Sequence, residues 1–160
     1  MDEHDVDEAT LEALIGDSPL IQEDRKPLFI QGLQAGFRWD FPTALHLLIP
    51  QVENGLRKML NDQGVLAQTI SADGTEEVWS YERILSHEVT TKTLGAPLAH
   101  ELESLLVARL GANLRNLVAH GLLSADALRS ETAFYLWWLL LRLITLPTSK
   151  MTAFIERTRQ

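Results

Sequence analysis

The sequence contains no cysteine, so it offers no disulfide framework, no thiolate metal site and no cysteine nucleophile. A chain of 160 residues without disulfides depends on its apolar core, and a hydrophobic content of 46% is enough for one. The acidic opening Met1–Asp5 also lacks the basic start and apolar run of a signal peptide. We therefore expect one folded protein located in the cytoplasm.

A long apolar run is also missing. The most apolar stretch, Ala133 to Leu141, is followed by Arg142 and ends near Pro147. It is shorter than the roughly 20 residues that a membrane-spanning helix needs. We expect a buried helix there, and no membrane as a partner.

Positive charge is scarce, because 14 Lys and Arg residues are outnumbered by 22 Asp and Glu residues, for a net charge of −8. Proteins that hold nucleic acid through a broad surface usually make it basic, since neutralisation of phosphate drives binding. A broad basic face is excluded here. Any contact with RNA must be local.

Several familiar catalytic and metal-binding patterns are absent. The sequence has no phosphate-cradling glycine loop, no Gly-x-Ser-x-Gly nucleophile elbow and no His-Glu-x-x-His zinc helix. His4, His87 and His100 have no ligand spacing to carboxylates or to each other that would hold zinc. The sequence therefore predicts neither a metal nor a cofactor.

Helical periodicity is the strongest signal that is present. The clearest amphipathic helix begins with Asp40 as N-cap and Pro42 in the first turn, and it runs to about Asn61. Pro50 lies inside this helix and predicts a bend, because proline has no N–H to donate. Between residues 63 and 80, Gly, Ser, Asp and Thr predict a small hairpin or ordered loop.

The second half of the chain also predicts helices. Thr90 to Gly95 indicates a loop, and Pro97 begins a helix that continues to Val118 with a break at Gly111. Ser124 is then placed to cap a final helix that runs to about residue 146.

These elements predict an all-α fold, an antiparallel helical bundle with a small insertion near 63–80. We divide the chain into an acidic N-terminal segment over 1–22 with a short helix, a helical domain over 23–147 and a short C-terminal extension over 148–160.

Residues that suit phosphate chemistry are grouped in the motif Arg115-Asn116-x-x-Ala119-His120-Gly121. RNA cleavage by transesterification requires removal of the 2′-OH proton, protonation of the leaving 5′ oxygen and stabilisation of a charged phosphorane. His120 can transfer a proton near neutral pH, and Arg115 presents a planar fork of donors to phosphate. Asn116 is placed to orient the histidine or the phosphate.

This motif resembles the Arg-x(4–6)-His signature of HEPN ribonucleases, in a little-characterised bacterial branch that carries Arg-Asn-x-x-Ala-His-Gly. Leu47-Leu48-Ile49-Pro50-Gln51-Val52-Glu53-x-x-Leu56-Arg57 resembles a helix that accompanies the motif in that branch. The resemblance covers about residues 25–146. It implies a HEPN-like bundle, a metal-independent endoribonuclease acting on RNA in toxin or antiviral defence, and an antitoxin or larger host protein as a further partner.

The spacing within the motif sets a geometric constraint. Five residues on an ideal helix turn two side chains about 140° apart, so Arg115 and His120 cannot share one face. Either the helix unwinds near His120, helped by Gly121, or Arg115 meets His120 of a second copy across a two-fold axis. HEPN ribonucleases are similar to the second arrangement, so the resemblance implies a homodimer.

A second group of polar residues lies on the long amphipathic helix. His46, Glu53 and Arg57 are separated by seven and four residues and therefore share a stripe of the helix. We predict that these three residues bind substrate, beside the same cleft as the Arg115–His120 motif. The simpler interpretation is a surface ion pair between Glu53 and Arg57, contributing about 0.3–0.5 kcal/mol, with a plain surface histidine beside it.

A second function stays open at this point. Arg115 and Asn116 can simply brace a helix end that His120 closes. The chain would then be a non-catalytic HEPN-fold module for dimerisation or protein interaction, with the acidic N-terminus as a contact segment. The acidity of the whole chain favours this alternative.

Overall fold

Helices make up most of the structure, a computed structural model that describes residues 6–70 and 76–145. The α-helices in these ranges are α1 Glu8–Ile15, α2 Lys26–Phe37, α3 Phe41–Asp62, α4 Tyr81–Ser86, α5 Glu88–Leu94, α6 Ala96–Leu106, α7 Leu114–Ala119 and α8 Glu131–Thr145. Short 3-10 turns cover Glu23–Arg25 and Ala127–Arg129, and the strands are β1 Gln68–Ile70 and β2 Glu76–Val78. The predicted all-α bundle is confirmed.

Helix α3 is the element around which the others pack. The Asp40 carboxylate accepts a hydrogen bond from the Thr43 backbone N–H at 3.3 Å, which satisfies one of the open donors of the first turn. The buried stripe of α3 faces α2 and α8, and α4, α5 and α7 also contact it. The helix continues through Pro50 without ending there. The side chains of α3 therefore reach most parts of the core.

Helix α8 is buried on one face only. Leu136, Leu140 and similar apolar residues on that face are buried, whereas Phe134, Tyr135 and Trp138 are exposed. The expectation of a buried helix is therefore right for one face and wrong for the other. No helix within the described ranges is both long enough and apolar enough to cross a membrane.

Two predicted helix limits need correction. Helix α8 was predicted to begin after Ser124, but it begins at Glu131. Ser130 Oγ caps it by accepting the Ala133 N–H at 3.3 Å. Ser124 Oγ accepts the Ala127 N–H in the preceding 3-10 turn. The segment Thr90 to Gly95 was expected to be a loop but lies mainly in α5.

The residues of α5 explain why it is helical despite its threonines. The His87 ring accepts the Val89 N–H at 3.2 Å and so caps the first turn. Thr91 and Thr93 donate their hydroxyl protons to carbonyls one turn back, and Thr90 is fully buried. Tertiary packing and local hydrogen bonds have outweighed weak helix propensity.

The predicted hairpin in the 63–80 region is confirmed. Strands β1 and β2 are antiparallel, with Gln68 opposite Val78 and Ile70 opposite Glu76. The Trp79 N–H continues the pairing by donating to the Ala67 carbonyl at 3.0 Å. The predicted turn at 71–74 lies outside the described residues.

The N-terminal helix belongs to the same core as the rest of the chain. Asp7 caps α1 by accepting the Thr10 N–H at 2.7 Å, and Leu11 and Ile15 are fully buried. Helix α1 contacts α2 and α8. The predicted C-terminal extension over 148–160 lies outside the described residues.

A close approach between α3 and the segment before α2 depends on Gly55. A Cβ at this position would lie 2.4 Å from the Leu20 carbonyl oxygen, which belongs to the backbone and cannot rotate away. A glycine is therefore required where the two segments meet.

We expect Gly55→Ala to lower the free energy of unfolding by about 1–3 kcal/mol, because the strain of overpacking exceeds alanine's helix-propensity advantage of about 1 kcal/mol. Urea denaturation measures the difference. The control is Asn54→Ala on the same helix, where the side chain is only partly buried. Equal stability of Gly55→Ala and wild type would show that the two segments can separate without cost.

Candidate functional site

The short helix α7 carries the Arg-Asn-x-x-Ala-His motif, and its start is set by local backbone geometry. A Cβ at Gly111 would lie 2.0 Å from the Ser104 carbonyl oxygen, so the chain turns there at close range after α6. Asn113 adopts a left-handed conformation with φ of 49° and precedes the first helical residue. Leu114 and Val118 are buried, and they hold α7 against α6 and α3.

Glu53 on α3 is the charged residue at the centre of the site. It is only 5% exposed. Arg115 donates to both carboxylate oxygens, from Nε to Oε2 at 3.1 Å and from Nη2 to Oε1 at 3.3 Å. Arg57 also donates from Nη2 to Oε1, and from Nε to the Trp79 carbonyl at 3.3 Å. We call these three residues the Arg57–Glu53–Arg115 cluster.

The cluster explains how a buried carboxylate is tolerated. Moving one ion out of water costs several kcal/mol, and good hydrogen-bond geometry with opposite charge must offset that cost. Glu53 has two guanidinium partners, whose side chains are 19% and 33% exposed for Arg57 and Arg115. With all three groups ionised, the cluster carries a net charge of +1 inside an acidic chain.

Arg115 retains hydrogen-bonding capacity beyond this ion pair. A guanidinium has five N–H donors. Two N–H groups serve Glu53, and a third donates from Nη1 to the Asn116 side-chain oxygen at 3.1 Å. The remaining two N–H groups have no acceptor among the described residues. Arg115 can therefore bind an added anion without leaving Glu53.

The Asn116 side chain helps to hold the Arg115 guanidinium in place. Its Oδ1 accepts from Arg115, and its Nδ2 donates to Asn113 Oδ1 at 2.7 Å. The prediction that Asn116 orients the histidine or the phosphate stays a prediction, because the hydrogen bonds of its side chain join it to Arg115 and Asn113. Asn113 is a positioning residue that the sequence reasoning missed, although asparagine before a helix is a common sign of left-handed backbone.

A pocket of about 220 Å³ opens between α3 and α7. Its polar lining is His46, Glu53 and Arg115, and its apolar walls are Ile49, Pro50, Val118 and Ala119. The predicted stripe of α3 thus places His46 and Glu53 beside the same cleft as Arg115. Arg57 does not line this pocket, because it extends toward Trp79.

His46 is held in a defined orientation. Its Nδ1 lies 2.6 Å from the Pro42 carbonyl oxygen, which can only accept a hydrogen bond. Nδ1 must therefore carry a proton, and Nε2 is unprotonated in the neutral ring. The backbone of His46 is also unusual. Pro50, four residues after His46, has no N–H, so the His46 carbonyl lacks the hydrogen bond that a helix normally gives it.

His120 lies at the other end of α7 and outside the pocket. It is the C-cap residue and is exposed, and its backbone N–H donates to the Asn116 carbonyl at 3.0 Å. Gly121 follows with φ of 65°, and the Leu122 N–H closes the turn on the Leu117 carbonyl at 2.9 Å. Within the described ranges no hydrogen bond joins His120 to Arg115. His120 also does not line the pocket that Arg115 lines.

Tyr81 is a second buried group beside the cluster that the sequence reasoning missed. Burial raises the pKa of its phenol, and the negative charge of Glu53 raises it further. Its hydroxyl has no hydrogen-bond partner among the residues that the structure describes. The phenol is therefore neutral and adds no charge to the cluster.

Comparison with family models, with curated proteins and with solved structures gives no match to this chain. In the parts of the chain that the structure describes, no three His, Asp or Glu side chains cluster as a metal site requires.

We expect Glu53→Gln to lower the free energy of unfolding by about 1–3 kcal/mol, because two guanidinium groups would then meet a neutral amide. Partial exposure of both arginines keeps the loss below that of a fully buried pair. Chemical denaturation monitored by circular dichroism gives the measurement.

The matched control is Glu88→Gln, because Glu88 and Lys92 form an ion pair with the same four-residue spacing on the exposed face of α5. This substitution should change the unfolding midpoint much less than Glu53→Gln does, because both partners are exposed. Equal midpoints for both variants would contradict the role given to the Glu53 carboxylate.

Proposed function

We propose that the chain is a metal-independent endoribonuclease of the HEPN type, and that Arg115 binds the phosphate that is cleaved. The observation that supports this proposal is the anchored guanidinium. Buried Glu53 holds two N–H groups on one edge of Arg115, and two further N–H groups remain for an anion at a pocket of about 220 Å³. A planar fork of this kind suits phosphate recognition better than a lysine ammonium does.

The proposed reaction is transesterification. The ribose 2′ oxygen attacks the adjacent phosphorus and loses its proton to a base, and the bond from phosphorus to the 5′ oxygen breaks. The leaving oxygen takes a proton from an acid, so the products are a 2′,3′-cyclic phosphate and a 5′-hydroxyl end. Arg115 stabilises the negative charge that grows on the phosphorane. His120 supplies one of the two proton transfers.

We further propose that His120 acts in the pocket of a second copy. The residue is exposed at the end of α7 and does not line the pocket of its own chain. In a two-fold dimer the His120 of each protomer can reach the partner's Arg115, which makes a composite site. Such a site fits a ribonuclease of toxin or antiviral defence, whose activity an antitoxin or a host protein would control.

Charge limits the kind of RNA binding that the proposal includes. The local charge of +1 at the cluster is surrounded by a chain with a net charge of −8. Binding therefore involves few phosphates, and we propose single-stranded RNA whose bases can reach the apolar wall of the pocket.

Cleavage of a labelled single-stranded RNA in the presence of EDTA tests this function. We expect wild type to produce 2′,3′-cyclic phosphate ends, and His120→Ala to lose about 10²-fold or more in rate. Arg115→Lys should lose a similar factor, because lysine keeps the charge beside Glu53 but not the planar fork.

The control for this experiment is His100→Ala, since His100 is an exposed histidine on α6 that is distant in sequence from the motif. It should cleave like wild type. Equal cleavage by wild type, His120→Ala and Arg115→Lys would show that the activity does not come from this site.

An exposed aromatic surface favours the second candidate function, a non-catalytic dimerisation module. Trp39 is 65% exposed and stacks on Phe134 with ring centroids 5.7 Å apart. Tyr135 and Trp138 form a second stacked pair at 5.9 Å. Large exposed aromatic residues are typical of interface hot spots. We propose a second copy of the chain as the partner for this surface.

Sedimentation velocity tests the dimer. Wild type should sediment as a dimer at micromolar concentration, and Trp39→Ser combined with Trp138→Ser should shift it toward monomer. Thr132→Ser, an exposed substitution on the same helix, should change nothing. A strictly monomeric wild type would contradict both the module and the composite site.

A further inference from the structure

Transesterification needs two proton transfers, and the motif on α7 contains only one histidine. His120 can serve as acid or base, but a second titratable group is required for full acid–base catalysis. The pocket contains a candidate that the motif does not include. His46 lines the pocket with Arg115, and it comes from a different helix, α3.

The orientation of His46 determines which proton transfer it can perform. The Pro42 carbonyl accepts from Nδ1 at 2.6 Å and fixes the tautomer, so the neutral ring has its lone pair on Nε2. A ring with an unprotonated nitrogen is a base. The bond to the Pro42 carbonyl remains possible when the ring becomes cationic, because Nδ1 is the donor in both states.

The charged groups that line the pocket beside His46 are Glu53 from its own helix and Arg115 from α7. Glu53 already accepts three hydrogen bonds from the two arginines. Its role in the pocket is therefore to hold Arg115. Arg115 binds the phosphate in the same space.

We propose that His46 is the general base of the site and removes the 2′-OH proton through Nε2. This inference rests on the proposed ribonuclease function and adds a catalytic residue to it. The proton moves from the 2′ oxygen to Nε2 as the bond between that oxygen and phosphorus forms. The bond to the leaving oxygen then breaks, and that oxygen takes its proton from His120 of the second copy.

The test uses two substrates that differ in their need for an acid. One is a dinucleotide of RNA, whose leaving ribose oxygen must be protonated. The other is uridine 3′-(4-nitrophenyl phosphate), whose nitrophenolate leaves without a proton. Loss of the base slows both reactions, whereas loss of the acid slows only the first.

The decisive variant is His46→Asn, because the asparagine amide can still donate to the Pro42 carbonyl but cannot accept the proton. We expect kcat to fall about 10²-fold or more on both substrates, with little change in KM. His120→Asn should slow dinucleotide cleavage and spare the nitrophenyl ester. His100→Asn is the control and should match wild type on both.

Two results would overturn the assignment of His46. If His46→Asn cleaves both substrates at wild-type rates, His46 is a plain surface residue. If the rate falls only on the dinucleotide, His46 is the acid and not the base. A wild-type protein that cleaves neither substrate would instead refute the proposed function, and the inference with it. Circular dichroism and binding of a 2′-deoxy dinucleotide show whether the variant is folded with an intact pocket.

Discussion

The site depends on one buried carboxylate. Glu53 is 5% exposed, and its charge is balanced by Arg57 one helical turn away and by Arg115 across the interface between α3 and α7. Since a lone carboxylate in this position would cost several kcal/mol, the two arginines stabilise the fold by supplying opposite charge and hydrogen bonds. The same interaction fixes the guanidinium of Arg115 while two of its N–H groups remain for a ligand. Stability and the proposed binding of phosphate therefore come from the same contacts.

The arrangement also explains how an acidic protein can handle an anion. Two guanidinium groups around one carboxylate leave a single positive charge on the cluster. Of the two arginines, Arg115 lines a pocket whose walls are largely apolar, and Arg57 lies outside it. Partial burial of the Arg115 guanidinium strengthens its attraction for phosphate relative to the same charge on a fully open surface. The net charge of −8 disfavours binding of RNA phosphate elsewhere on the chain, so binding is limited to this pocket. Specific capture of one phosphate is possible without a broad basic face.

Periodicity, caps and prolines together predicted most of the helices. Periodicity also placed His46 and Glu53 on one stripe of α3, because side-chain direction on a helix follows from spacing. It did not predict that Glu53 pairs with Arg115, since this contact joins residues that are 62 positions apart. The helical state of α5 was missed because its threonines are stabilised by local hydrogen bonds and burial. Asn113 was missed because its role depends on a left-handed backbone and on the side chain of Asn116.

The central claim is that Arg115 binds phosphate while it remains held by Glu53. The most direct measurement is a titration of the arginine Nε–Hε NMR signals with a 2′-deoxy dinucleotide, which has the phosphate but cannot react. The account predicts a large progressive shift of the Arg115 signal and a much smaller one for Arg57, which is directed toward Trp79. A dinucleotide that shifts neither signal, or shifts Arg57 and leaves Arg115 unchanged, would contradict it.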